Sequence, residues 1–250
     1  MQVVRRVLDP LAASLAVAVL LGSATTAAAQ APLWAKLLRW MSGDSDQTPV
    51  PHSAIGVHVQ MSLKRPPRPD DDERAERIVA AAREVLRRHP DVASATRDGY
   101  RPFHQTGQLG EEVHYTSIGY GYAEGKRVDY LHPGSLLFQR TRAGMVPVGV
   151  MYSASNASTA DNLDLRAPLS VATWHRHVDF CLPVGRDAKA KAEDPRFGYA
   201  GSIHSEAACA QAGGYWIPVA FGWMTHVYPD DTGKVWGGED MDMSDMHDHH

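Results

Sequence analysis

Ile55-Gly-Val-His-Val-Gln-Met-Ser-Leu63, followed after a short break by Asp70-Asp-Asp-Glu-Arg-Ala-Glu-Arg-Ile-Val-Ala-Ala-Ala-Arg-Glu-Val-Leu-Arg-Arg-His-Pro90, decides the fold class. The first segment alternates strictly, with Ile55, Val57, Val59, Met61 and Leu63 on one side, the period of a half-buried strand. His58 then falls on the polar face, where water would solvate it. The second segment has the helical period: Ala75, Ile78, Val79, Ala82, Val85 and Leu86 form one stripe. Acid crowds its N-terminus and Arg87, Arg88 and His89 its C-terminus, both matching the macrodipole. Pro90 stops it.

Outward from this pair the pattern turns to short strands. Leu136–Arg140 and Val146–Tyr152 flank a turn around Ala143-Gly144 and read as a hairpin. Ser158 to Leu165 reads as a short helix capped by Ser158, and Ile203 to Gln211 as another, closed by Gly213-Gly214. Trp216 to Tyr228 reads as an aromatic-rich strand bent at Gly222. It places His226 opposite Val219, Phe221, Trp223 and Val227. The expected architecture is a single α+β domain over residues 55–236, one long helix packed on a mainly antiparallel sheet.

The flanks read differently. Residues 1–29 have the plan of a secretory signal peptide: Arg5 and Arg6, then the apolar run Leu11–Leu21, then Ala27-Ala28-Ala29. That run is too short to span a bilayer, so no transmembrane span is expected after cleavage. Residues 30–54 form an amphipathic leader and linker. Its 33–41 face, with Leu33, Leu37, Trp40 and Met41, suits a membrane surface or a protein contact. Export to the periplasm or medium makes Cys181 and Cys209 a disulfide pair, for ~3 kcal/mol on the chain-entropy account, with thiolate metal ligation as the rival.

The formal charge of −4 excludes a nucleic-acid binder with a concentrated basic surface, and 44% hydrophobic residues exclude a wholly disordered chain. Thirteen histidines are the excess to explain. In Thr173-Trp-His-Arg-His-Val-Asp-Phe-Cys181, a strand would put His175, His177 and Asp179 on one face and Trp174, Val178 and Phe180 on the other. Imidazoles at i and i+2 can then chelate one ion, whereas a helix would splay them. His226 and His114 are the candidate third ligands, with His132 as a further companion. Residues 237–250 form a Met/His/Asp-rich tail expected to be disordered. Its Met241, Met243, Met246, His247, His249 and His250 combine soft thioethers with imidazoles, a donor set that suits copper.

The order His114-Tyr115, Pro133-x-Ser-Leu-Leu137, Val148-Gly-Val-Met-Tyr152 and Trp174-His-Arg-His177 with Cys181 resembles exported bacterial proteins of uncharacterised function. The resemblance covers roughly residues 100–230. It implies a compact domain that groups these histidines, and it implies no catalytic residue.

The leading expectation is an exported metal-binding protein acting in copper capture, delivery or resistance, with zinc as the alternative ion. A secreted enzyme using a metal or a histidine base is the second reading, with Asp179 or Glu111 as its nearby carboxylate. A non-catalytic envelope protein is the third. Convergence of His114, His175, His177 and His226 separates the first two from the last.

Overall fold

The computed structural model describes residues 52–55, 58–103 and 108–237. The signal segment, nearly all of the leader and the tail ligands Met241, Met243, Met246, His247, His249 and His250 lie outside the described residues. In chain order the elements are β1 (His52–Ile55), β2 (Val59–Ser62), α1 (Asp71–Arg88), α2 (Val92–Arg97), β3 (Arg101–Pro102) and β4 (Glu112–Thr116). Then come α3 (Ile118–Lys126), β5 (Ser135–Thr141), β6 (Gly144–Ala154), α4 (Ala160–Arg166) and β7 (His175–Pro183). Last are α5 (Ala188–Ala192), α6 (Glu206–Gln211), β8 (Gly214–Val227) and β9 (Trp236–Gly237). The strands form one antiparallel sheet in the order β1-β2-β7-β8-β6-β5-β4-β3. β9 takes the edge of β8 that β7 leaves free beyond Met224, pairing Gly237 with His226. The mixed helix-and-sheet domain with one disulfide is thus the architecture expected from the sequence.

Helix α1 adheres closely to its pattern. Ala75, Ile78, Ala82, Val85 and Leu86 are buried on the sheet. The last four share the main core with Tyr100, Val113, Tyr115, Leu136, Phe138, Val150, Tyr152, Trp174 and Trp223. Its N-terminus is fastened by charge. Arg65 donates to Asp71 and to Asp164 at 2.6–2.9 Å, Arg68 adds a bond to Asp164, and Ser170 donates to Asp71. The Arg65 guanidinium holds the Asp71 carboxyl well below the usual carboxylate range. A depressed carboxylate stabilises the fold above its unfolded pKa of ~3.9, and that stabilisation is lost as acid titrates the folded group below it.

Three readings are corrected. Ile55–Leu63 is a hairpin, since β1 and β2 pair antiparallel with Ile55 opposite Val59. His58 is therefore in the connection, and it is buried rather than solvated. Its Nδ1 lies 3.1 Å from the Val178 carbonyl oxygen and its Nε2 2.7 Å from that of Gly201, which ties the hairpin to β7 and the loop beyond. Helix α4 is capped by Thr159, with a reciprocal bond from Asn162, and not by Ser158. In β8, Phe221 and Gly222 both have positive φ, 63° and 85°. A Cβ on Gly222 would come within 2.5 Å of the Ala154 oxygen, so glycine meets a steric as well as a conformational demand there. This bulge turns Phe221 to the face of Met224 and Tyr228, away from the Trp223 side where alternation had put it.

Cys181 and Cys209 are bonded, with Cα atoms 5.4 Å apart. Their sulfurs sit in a small separate core with Phe197 and Ile203, which pins α6 to the C-terminal part of β7. Replacing both cysteines with alanine is expected to cost ~3 kcal/mol, read as a lower urea midpoint with a steeper slope, because the unfolded chain without its cross-link exposes more surface.

Candidate metal centre

Alternation assigns the two faces of the sheet. In β4, Val113 and Tyr115 enter the main core under α1, which leaves Glu112 and His114 on the opposite face. In β8, Trp223 and Val227 enter that core, which leaves Met224, His226 and the following Tyr228 opposite. In β7, Arg176 lies over the Trp223 ring at 4.6 Å, and His175 and His177 point the other way. The second face therefore carries all four candidate histidines of the domain.

On a flat sheet they would not meet. β5 and β6 lie between β4 and β8, a separation of ~14 Å at ~4.8 Å per strand. Yet the rings of His114 and His226 have centroids 5.3 Å apart, so the sheet curls with the histidines on its concave side. Phe103, just past β3, and Phe221 of β8 report the same curl, at 5.2 Å. Gly149 makes room for it. A Cβ there would lie 2.8 Å from the Tyr228 ring and 2.7 Å from the Val227 oxygen, so only glycine lets Tyr228 lie across the floor. From that position the Tyr228 hydroxyl reaches Glu112 Oε1, at 3.2 Å.

The imidazoles form a continuous series. His175 lies 5.7 Å from His177 and 5.1 Å from His226, which in turn meets His114. Each contact is edge-to-face. Glu112 Oε1 closes one end, 3.5 Å from His114 Nε2, and Tyr199 closes the other, its ring 4.8 Å from His177.

Burial dictates the charge state. It pushes His175 and His226 well below the ordinary imidazole value, and neighbouring imidazoles push them further. His177 is lowered by burial to about 4. Burial pushes the Glu112 carboxyl up, but the hydrogen bonds from His114 and from the Tyr228 hydroxyl act against it, and the net shift is downward. The face thus presents the neutral imidazoles of His175, His177 and His226, with the Glu112 carboxylate at the His114 end. Nδ1 of His175, Nδ1 of His177 and Nε2 of His226 are buried and have no hydrogen-bond partner. Leaving such a group unpaired in the interior costs ~1–3 kcal/mol, so three in one cluster need a reason.

His132 does not join the cluster; its Nδ1 pairs with Asp129 at 2.9 Å, and its ring leans on Tyr120. The carboxylate beside the histidines is Glu112, not Glu111 or Asp179. Asp179 has φ 55° and breaks the alternation of β7, so Phe180 packs on Tyr199, on the same side as His177. Glu112, Tyr199 and Tyr228 escaped the sequence reading. Glu112-Val-His114 did carry a signal, since i and i+2 share a face once that segment is taken as a strand. Two clefts, of about 380 Å³ between Lys126 and Arg166 and about 210 Å³ between Tyr120 and His132, open away from the cluster. Among the described residues, no three His, Cys, Asp or Glu side chains already converge on one metal position. Nor is any helix there long and apolar enough to cross a membrane.

No protein-family model, curated protein or solved structure matches the chain.

The buried imidazoles make stability depend on pH. They stay neutral when folded but gain protons near pH ~6.5 when unfolded, so stability is full above ~6.5 and falls as pH drops below it. For His177 the fall continues to about pH 4. Urea denaturation of the metal-free protein should lose up to ~1.4 kcal/mol per pH unit for each such histidine. His177→Phe should flatten the dependence by one proton; a midpoint constant from pH ~7 to ~5 would contradict the neutral, buried state.

Proposed function

We propose that this chain is an exported metal-binding protein whose ion sits among His114, His175, His177 and His226, with Glu112 as the anionic partner. One observation carries the reading: three buried imidazole nitrogens without partners in a single run of touching rings. Neutral imidazole is the form that ligates metal, and burial keeps these rings neutral. Their spacing supports the same use. With metal–nitrogen bonds of ~2.0–2.1 Å, two rings sharing one ion at a tetrahedral angle stand about 5 Å apart between centres. Tyr228, bonded to Glu112, would orient that carboxylate from behind.

Copper is the ion the tail favours, since its three thioethers and three imidazoles join soft and borderline donors. Gly237, the last described residue, pairs with His226, so the tail starts beside the cluster. Met241 is four residues on, within ~14 Å of extended chain. In this reading the tail captures the ion and the cluster holds it, in capture, delivery or resistance. The signal-like N-terminus and the Cys181–Cys209 disulfide support an oxidising, extracytoplasmic setting.

The test loads the mature protein, with and without residues 238–250, with Cu(II) or Zn(II) and measures stoichiometry and affinity. One ion per chain should remain after tail deletion. His175→Ala with His177→Ala should weaken that site about a hundredfold or more, whereas His132→Ala should not. Undiminished binding in the double variant would sink the proposal.

A further inference from the structure

The concave face holds more donors than imidazoles. Across the β2–β7 ladder, Met61 is the direct partner of His175. Across β7–β8, Met224 is the partner of His175 on its other side. Across β6–β8, Met151 is the partner of His226. Directly opposed residues of an antiparallel pair point to the same face with Cβ atoms ~4.5–5.5 Å apart. Met224 also shares its strand face with His226, two residues on. His175 and His226, whose rings touch, are therefore flanked by three methionines. All three are buried, and Met151 and Met224 pack with Leu137, Phe221 and Tyr228. The only other methionine among the described residues, Met145, packs instead against the main core.

We infer that Met61, Met151 and Met224 are thioether ligands of the same centre and give it a preference for Cu(I) over Zn(II). The inference rests on the metal-centre reading and sharpens it. Thioether is a soft, neutral donor that adds much to Cu(I) and little to Zn(II). The surroundings act in the same direction. A dication in this apolar setting costs more to desolvate than a monocation, and Glu112, the carboxylate beside the rings among the described residues, matches a single positive charge. Methionine is also flexible enough to turn its sulfur toward an ion without moving the strand. The competing explanation is that the three simply fill the core, as methionine often does.

The experiment separates these. The full-length mature chain carries Met241→Leu, Met243→Leu and Met246→Leu, so that the sheet methionines are the thioethers left beside the cluster; Cys181 and Cys209 are tied in the disulfide. It is loaded anaerobically with Cu(I), or separately with Zn(II), against chromophoric chelators. X-ray absorption of the Cu(I) form should show sulfur as well as nitrogen around copper. Adding Met61→Leu, Met151→Leu and Met224→Leu, which keeps side-chain volume, should abolish the sulfur signal. It should weaken Cu(I) about tenfold or more while leaving Zn(II) within about threefold. A nitrogen-and-oxygen-only copper shell overturns the inference, and that measurement needs no substitution in the core. Unchanged Cu(I) affinity, or equal losses for both ions, also overturns it and leaves the histidine centre standing. If the parent chain binds neither ion, the histidine reading fails as well.

Discussion

Two strands run between β4 and β8, and still the rings of His114 and His226 touch. That contact exists because the sheet curls, and on the concave side Gly149 leaves open the space that Tyr228 fills. Any side chain there would occupy the space taken by Tyr228. With the space free, Tyr228 bridges from β8 to Glu112 on β4, and the concave face becomes one connected surface. The main core under α1 fills the other face with large rings, among them Trp174, Trp223, Tyr100 and Phe138. One sheet thus serves two purposes: one face is packed for stability, and the other gathers polar donors in a dry hollow.

The hollow has an electrostatic character of its own. Imidazoles that burial keeps neutral have lone pairs to offer, and three of their nitrogens have nothing to accept from or donate to. Folding a metal-free chain into this state is unfavourable at each of those atoms. A bound ion would remove the penalty and return it as affinity. The buried histidines outside the hollow show the contrast. His58 meets two carbonyl oxygens, and His89 meets Val85 and Asp98. These are satisfied structural residues at a connection and a helix end, chemically unlike the cluster despite similar burial.

The rest of the molecule holds the cluster's strands in place. β7 is fixed by the ladders to β2 and β8, by His58 at the Val178 carbonyl, and by the disulfide at Cys181. The Arg65, Asp71 and Asp164 network ties the start of α1 to the segment that leads into β7. Neither the disulfide nor this network touches the histidines, and both limit how far His175 and His177 can move.

By itself the sequence determined the local periods and the elements those periods build. The helix at Asp71–Arg88, the hairpin of β5 and β6, the antiparallel sheet, the disulfide and the opposed faces of β7 near His175 were all legible. Even the grouping of histidines was legible as a geometric expectation. The misread positions were those where the backbone departs from its period. The Ile55–Val59 reversal, the positive φ at Asp179 and the Phe221–Gly222 bulge each move side chains to the other face, and alternation cannot register them. Glu112 and the three cross-strand methionines were hidden for a different reason. Their relation to the histidines depends on strand register and on the curl, and these link residues far apart in the chain. Periodicity is set between near neighbours in the chain, but a donor set is assembled across strands, and only tertiary packing decides which distant side chains share a hollow.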